Sequence, residues 1–430
     1  MRRPMRPLRG GGQPPDSARA TRGVSPPGTA ERARPGVRHW LPVLVTAAFL
    51  TLAVGLAVHS VYWLATLTGH PIGEDFDIYE RALAATRDGA NPYLPYAIGR
   101  SFVNHPFALS LLSCFSWMGP ALALLAWMAA SAVVWLASTA LAFALAFKAR
   151  DSGPGVLFQQ EIALASLAIF APFLETVYLG QINAFAVVAI CLCFFFSAQH
   201  RPSMAGLFLA LAIVLKTSPI LLLLYFLCRG ERRVVGSTIA AILALSAIPA
   251  LQFGPQVLTD FLTLLPRLGW ETHLSPYNES LLSVLIQMGQ RLGWHGSWKL
   301  LLMLVRGGLA AVTVVACWRA FAGRRASGVK SLVNGGAFIM LVVVSSPLLW
   351  YHHSVFLLVP LVLLLTDPRP LLRGMGAGAA LVVQAERLFE QVVVPVGIPV
   401  VAAHLLLLTL LLAWPGPPTL RPSPDRGGRP

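Results

Sequence analysis

The sequence predicts an all-α fold, a polytopic helical integral membrane protein with about 11–13 transmembrane helices and a large first extracytoplasmic loop. Three observations predict it. Apolar residues make up 56% of the 430 residues and charged residues only 12%. Soluble domains carry roughly 45–50% and roughly 25% respectively, so this chain lacks the charge to coat a water-facing surface. Mean hydropathy is +0.67. Apolar stretches of about 20 residues, each able to cross roughly 30 Å of hydrocarbon, recur along the chain. A soluble enzyme, a disordered protein and a coiled coil are thereby excluded.

The formal net charge of +15 suggests nucleic acid at first sight, but its distribution argues for topology. Only Lys148, Lys216, Lys299 and Lys330 are lysines, and nine arginines precede residue 39. Basic residues beside membrane spans mark the cytoplasmic side. Residues 1–38, rich in Arg, Pro and Gly, read as a disordered cytoplasmic tail. Residues 39–414 read as one membrane-embedded domain and 415–430 as a second cytoplasmic tail. The first apolar run, Trp40 to Leu67, is too long for a signal-peptide core and is expected to stay as an anchored first helix.

The remaining elements follow by charge. Residues 68–106, with Glu74, Asp75, Asp77, Glu80 and Asp88, form an expected outer loop containing a helix Ile78–Arg87. The chain returns inward over 103–118 and turns at Gly119-Pro120. A long apolar run reaches Phe147 before Lys148 and Arg150. Runs 162–177, 184–197, 204–215 and 220–228 follow, the last ending at Arg229, Arg232 and Arg233. Then come 234–251, a second outer loop at 252–298 with an amphipathic stretch near 256–266, and runs 299–318, 332–344, 355–365, 375–392 and 396–414. Counting forward places Lys148 outside, whereas counting back from Arg229 places it inside, so one segment between 120 and 177 must be split or re-entrant. The five cysteines lie inside apolar runs and imply neither a disulfide framework nor a metal site.

Ionisable and polar groups beside spans carry the functional information. Six groups stand out, and all fall on the outer side in this topology. Asp75 and Asp77 are candidate general bases, since a partly dehydrated carboxylate can take a hydroxyl proton. Either also suits an N-cap of the helix Ile78–Arg87. Asn104-His105-Pro106 opens the second span, where Pro suits a first helical turn. Gln181 and Asn183 suit sugar or phosphate binding, or local backbone pairing. Lys216, three residues before Pro219, suits a phosphate or simple snorkelling. Asn278 lies in a weak glycosylation sequon. Trp350, His352 and His353 suit a substrate pocket or an interfacial belt. Span interiors are nearly clean, apart from Glu386-Arg387 and Glu390. That one-sidedness favours an outer-face enzyme over a transporter or flippase of a lipid-linked sugar, which is the second reading. No nucleotide-binding signature occurs, so phosphate chemistry there implies a lipid-phosphate donor.

These motifs resemble glycosyltransferase family 87 of the GT-C membrane glycosyltransferases. The resemblance rests on Asp75 to Tyr79, Asn91-Pro92-Tyr93, Pro106-Phe107, Gly180-Gln181-Ile182-Asn183, Leu215-Lys216 with Pro219, Asn278 with Ser280-Leu281, and Ser346-Pro347 with Trp350 and His352-His353. It implies an inverting transfer of mannose from a polyprenyl-phosphate donor to an acceptor hydroxyl at the outer face of the cytoplasmic membrane. Asp75 is the implied base, with Asp77 second. Lys216 and His353 are the implied partners of the leaving phosphate. Tyr79, Tyr93, His105, Gln181, Asn183, Asn278, Trp350 and His352 complete the implied substrate site. The resemblance implies no metal and no cofactor beyond the lipid-phosphate sugar itself. The acceptor is a glycolipid, a polysaccharide or a glycoprotein, membrane lipids surround the chain, and nucleic acid is not a partner. Two positions depart from the family pattern: Asn104-His105-Pro106 replaces Tyr-Pro-Pro, and Leu349 replaces a Ser before Trp350.

Overall fold

The computed structural model describes residues 51–52, 54–62, 65–66, 70–94, 101–150, 167–271, 278–294, 296–386 and 397–416. The basic tail 1–38, most of the tail 415–430, Arg387, Glu390 and the stretch 151–166 on which the Lys148 question turns lie outside these residues. Among the described residues the regular structure is helical, with no strand.

After a helical piece within 51–66, the helices follow in order. They are α1 (Glu74–Arg87), α2 (Phe107–Ser113), α3 (Pro120–Arg150), α4 (Ala171–Leu179), α5 (Asn183–Ala198) and α6 (Pro202–Leu215). A short 3-10 turn, Ser218–Leu221, leads into α7 (Leu222–Cys228), α8 (Arg232–Phe253), α9 (Gln256–Glu271), α10 (Leu281–Arg291) and α11 (Trp298–Ala322). Next is α12 (Gly328–Val344), and a 3-10 segment, Tyr351–Leu357, precedes α13 (Leu358–Leu365). The last two are α14 (Pro370–Gln384) and α15 (Ile398–Leu412).

Three of these, α3, α8 and α11, are long and apolar enough to cross a membrane singly. The other apolar helices are shorter, among them α5, α6, α12 and α15. Breaks inside a bundle are tolerated where neighbouring protein satisfies the freed backbone groups. Proline causes several of them: Pro120, Pro202 and Pro370 open helices α3, α6 and α14, where the missing N–H costs no helical bond.

Helix α1 starts one turn earlier than the expected Ile78. Its N-cap is Gly73, at φ 77°, and no side chain caps it. Asp75 and Asp77 therefore sit inside the first turn and do not cap the helix. Carboxylates are favoured there by the partial positive charge of the unpaired N–H groups.

Helix α12 is the centre of the bundle, with nearly every side chain from Leu332 to Val344 buried. Helix α11 is the opposite case, with long apolar side chains such as Met303, Val314 and Trp318 left exposed. Such a surface matches lipid tails, against which an apolar side chain loses nothing.

Helix α6 packs closely on both α5 and α8. Small residues permit this, since helix association in lipid depends on close van der Waals contact. A Cβ at Gly206 would collide with the Ser237 hydroxyl and stand 2.7 Å from the Val234 carbonyl oxygen of α8. Gly206→Val should therefore force α6 and α8 apart. Thermal unfolding of the detergent-purified variant should show a loss of about 1–3 kcal/mol, the usual cost of overpacking.

Candidate active site

One turn positions the first wall. Helix α4 ends at Gly180, which adopts the left-handed conformation (φ 74°). A Cβ there would stand 2.6 Å from Phe76 Cβ on α1, so only glycine serves in both conformation and space. The Gly180 carbonyl accepts a hydrogen bond from Trp127 Nε1 at 2.9 Å. The Gly73 amide donates to the Tyr178 carbonyl at 2.8 Å. These contacts press the α4–α5 turn against the start of α1.

The side chains that follow make a relay. Gln181 Nε2 donates to Asp75 Oδ2 at 2.5 Å. Tyr79 Oη donates to Gln181 Oε1 at 2.9 Å. Asn104 Nδ2 donates to Tyr79 Oη at 3.3 Å. Tyr79, Asn104 and Gln181 are buried, and Asp75 is half-buried. Asp77 points elsewhere: its side chain is 64% exposed and pairs with Arg81, one helical turn on, at 3.0 Å.

The second wall forms where α6 ends. Lys216 is extended (φ −147°, ψ 115°) and links α6 to the 3-10 turn that Pro219 begins to shape. Lys216, Ser218, Ser346, Leu349 and His353 line one small cavity. His353 Nδ1 accepts from the Trp350 amide at 3.2 Å, and the His353 amide donates to the Trp350 carbonyl at 2.8 Å. A neutral imidazole accepting at Nδ1 carries its proton on Nε2, so His353 is set up as a donor.

The two walls belong to one electrostatic site. Burial pushes the Asp75 carboxyl above its ordinary value, against the pull of His352, the Gln181 hydrogen bond and Lys216. Burial pulls the Lys216 ammonium down to about 8, and the Asp75 charge opposes that.

The other residues expected to bind substrate have distinct placements. Tyr93 is buried and stacked on Phe102, with ring centroids 5.4 Å apart, and its hydroxyl donates to the Asn104 carbonyl at 3.1 Å. His105 packs edge-on against Phe261 of α9. Its Nδ1 accepts from the Phe107 amide, and its Nε2 meets the Ser246 hydroxyl of α8 at 3.2 Å. Both residues thus form a layer beneath the relay, and it is Asn104 that reaches Tyr79.

Asn278 is 1% exposed. Its Oδ1 accepts from the Ser280 and Leu349 amides, each at 3.0 Å, while Nδ2 donates to the Pro347 carbonyl at 2.9 Å. It ties the entry to α10 to the loop that carries Trp350, itself half-buried. Asn183 Nδ2 donates to the His352 carbonyl at 3.4 Å, as does Thr176 Oγ1 at 3.2 Å. His352 Nδ1 lies 3.4 Å from Glu175 Oε1.

Thr176 and Glu175 escaped the sequence reading, which named Asn104 only as part of its tripeptide. Glu175 corrects the expectation that span interiors are clean apart from Glu386-Arg387 and Glu390. It stands inside an apolar helix and is 4% exposed, and a search for acids within apolar runs would have found it. Among the described residues no three His, Cys, Asp or Glu side chains gather as a metal-type cluster.

The all-α fold with three helices long and apolar enough to cross a membrane is that of an integral membrane protein, and within it Asp75 and Lys216 act on each other electrostatically. The model for glycosyltransferase family 87 matches residues 102–347, more than half of the chain, and the protein belongs to that family. It is also 30% identical over 209 residues to a protein of Mycobacterium tuberculosis, a polyprenol-phosphate-mannose-dependent alpha-(1-2)-phosphatidylinositol mannoside mannosyltransferase. That match covers 45% of this chain and 48% of the relative, so the chain spans about half the length of the curated protein it matches. No solved structure matches.

Because Gly180 is confined by conformation and by Phe76, Gly180→Ala should displace Gln181 from Asp75. Transfer activity should fall at least tenfold, with a lower thermal midpoint, when variant and parent are assayed side by side in detergent.

Proposed function

We propose that the protein is an inverting mannosyltransferase that uses a polyprenyl-phosphate-mannose donor, with Asp75 as the general base. The observation that carries this reading is a half-buried carboxylate held by Gln181 in the same site as Lys216. The acceptor hydroxyl attacks the anomeric carbon of a β-linked mannosyl phosphate. As the new C–O bond forms, the hydroxyl proton passes to Asp75 and the bond from carbon to phosphate oxygen breaks. Inversion leaves an α-linked product and a polyprenyl phosphate anion. Lys216 and the Nε2–H of His353 receive that growing charge, which is the electrostatic work that lowers such barriers.

Asp75 is the better base of the two carboxylates. Dehydration raises its basicity and the amide of Gln181 fixes its orientation, whereas Asp77 is solvated and neutralised by Arg81. The donor assignment is supported by family membership and by the name of the mycobacterial relative. That name also favours a glycolipid acceptor over a polysaccharide or glycoprotein. We place the site at the outer face of the cytoplasmic membrane, with both termini inside, on the strength of the arginine-rich inner segments.

Asp75→Asn should abolish transfer of labelled mannose from polyprenyl-phosphate-mannose to lipid acceptors, while Asp77→Asn should keep activity within about threefold. The reverse pattern would move the base to Asp77, and two active variants would sink the reading. Asp75→Asn should also leave the thermal midpoint unchanged or higher at neutral pH. A carboxyl raised by burial stabilises the fold only while protonated, and that contribution is lost as pH rises through its folded pKa.

The pH dependence of kcat/KM reports the free enzyme. It should rise as the raised Asp75 carboxyl ionises and fall above about 8 as Lys216 loses its proton. Lys216→Arg, whose guanidinium stays charged, should move the alkaline limb upward. An unmoved limb would assign it to another group.

A further inference from the structure

Resting on the transferase reading, we propose that Glu175 is a positioning residue that holds His352 with its Nε2 presented to the departing phosphate. Glu175 is the charged residue of α4, an otherwise apolar helix, and is 4% exposed. A carboxylate in such surroundings is costly unless it is paired. Its Oε1 lies 3.4 Å from His352 Nδ1, a distance that closes to a full hydrogen bond with a small ring rotation.

The backbone of His352 is gripped at the same time. Its carbonyl accepts from Thr176 Oγ1 at 3.2 Å and from Asn183 Nδ2 at 3.4 Å. Thr176 adjoins Glu175, so one turn of α4 holds both the ring and the main chain. Asn183 begins α5, immediately after the Gly180 turn that sets Gln181 on Asp75.

His352 Nε2 is buried, the residue is 5% exposed, and this nitrogen has no hydrogen-bond partner among the described residues. A buried ring nitrogen without a partner is costly unless a substrate completes it. His352 and His353 meet edge-on, with centroids 4.8 Å apart, and His353 shares the cavity with Lys216. A carboxylate on Nδ1 fixes the orientation of the ring. A ring with a proton on both nitrogens donates from Nε2 to a phosphate oxygen. Asp75 lies within electrostatic reach of both His352 and Lys216.

The test is steady-state kinetics of the full-length detergent-purified protein with polyprenyl-phosphate-mannose. Glu175→Gln preserves shape and removes charge. It should lower kcat at least thirtyfold and leave the donor KM within threefold, with an unchanged elution profile on size exclusion. In a His352→Gln background it should cost less than threefold more, because a residue acting only through His352 has nothing left to position. Retained kcat in Glu175→Gln, or losses that multiply in the double variant, would overturn the proposal. Should Glu175→Gln fail to fold, Thr176→Val reads the same tether. It should lower kcat three- to tenfold alone and not at all in the His352→Gln background, and an equal loss in both backgrounds would refute it. An inactive Asp75→Asn with a fully active Glu175→Gln would remove the positioning role alone. An active Asp75→Asn would move the base elsewhere, and a parent protein that transfers no mannose would remove the transferase reading itself.

Discussion

The site depends on one amide. Gln181 donates to Asp75 and accepts from Tyr79, and so ties the α4–α5 turn to a carboxylate and a buried hydroxyl one turn apart on α1. In a dehydrated pocket neither group tolerates being left alone, because an unpaired buried polar atom costs more than a pair returns. The Gln181 amide has a donor end and an acceptor end, and the two neighbours need one each. Its placement in turn depends on Gly180, where backbone conformation and the Phe76 side chain both exclude a larger residue. The geometry of the Asp75 carboxylate thus traces back to the absence of one Cβ.

The same economy governs helix α4. Within nine residues it supplies Glu175 and Thr176 to one side of the pocket and ends in the turn that serves the other. A short helix broken by Gly180 can do this where a continuous span cannot, because the break frees backbone and side chains to face the cavity. The long helices α8 and α11 instead leave many apolar side chains exposed, among them Leu243, Leu251, Met303 and Val314. Polar groups concentrate at breaks because the hydrocarbon will not accept them elsewhere.

Much was legible before the fold was known. Composition alone required a membrane protein, and the Pro and Gly positions anticipated the ends of α3 at Pro120, of α4 at Gly180 and of α6 at Lys216. The family resemblance read from short motifs agrees with the match over residues 102–347. Single roles were harder to read. Asn278 looks like a ligand in the sequence, yet its amide bonds three backbone groups. His105 looks like the functional member of its tripeptide, yet both its nitrogens are occupied and its neighbour Asn104 reaches Tyr79.

The sequence by itself determined what must lie in lipid, since hydrophobicity is a local and additive property of each segment. It also determined where helices break, because Pro and Gly act on their own backbone. Tertiary structure alone decided which of two carboxylates two residues apart faces the pocket. Asp75 and Asp77 have the same chemistry and the same helical turn, but a helix places them on different faces. Only the packing of α1 against the Gly180 turn turns one toward Gln181 and the other toward water.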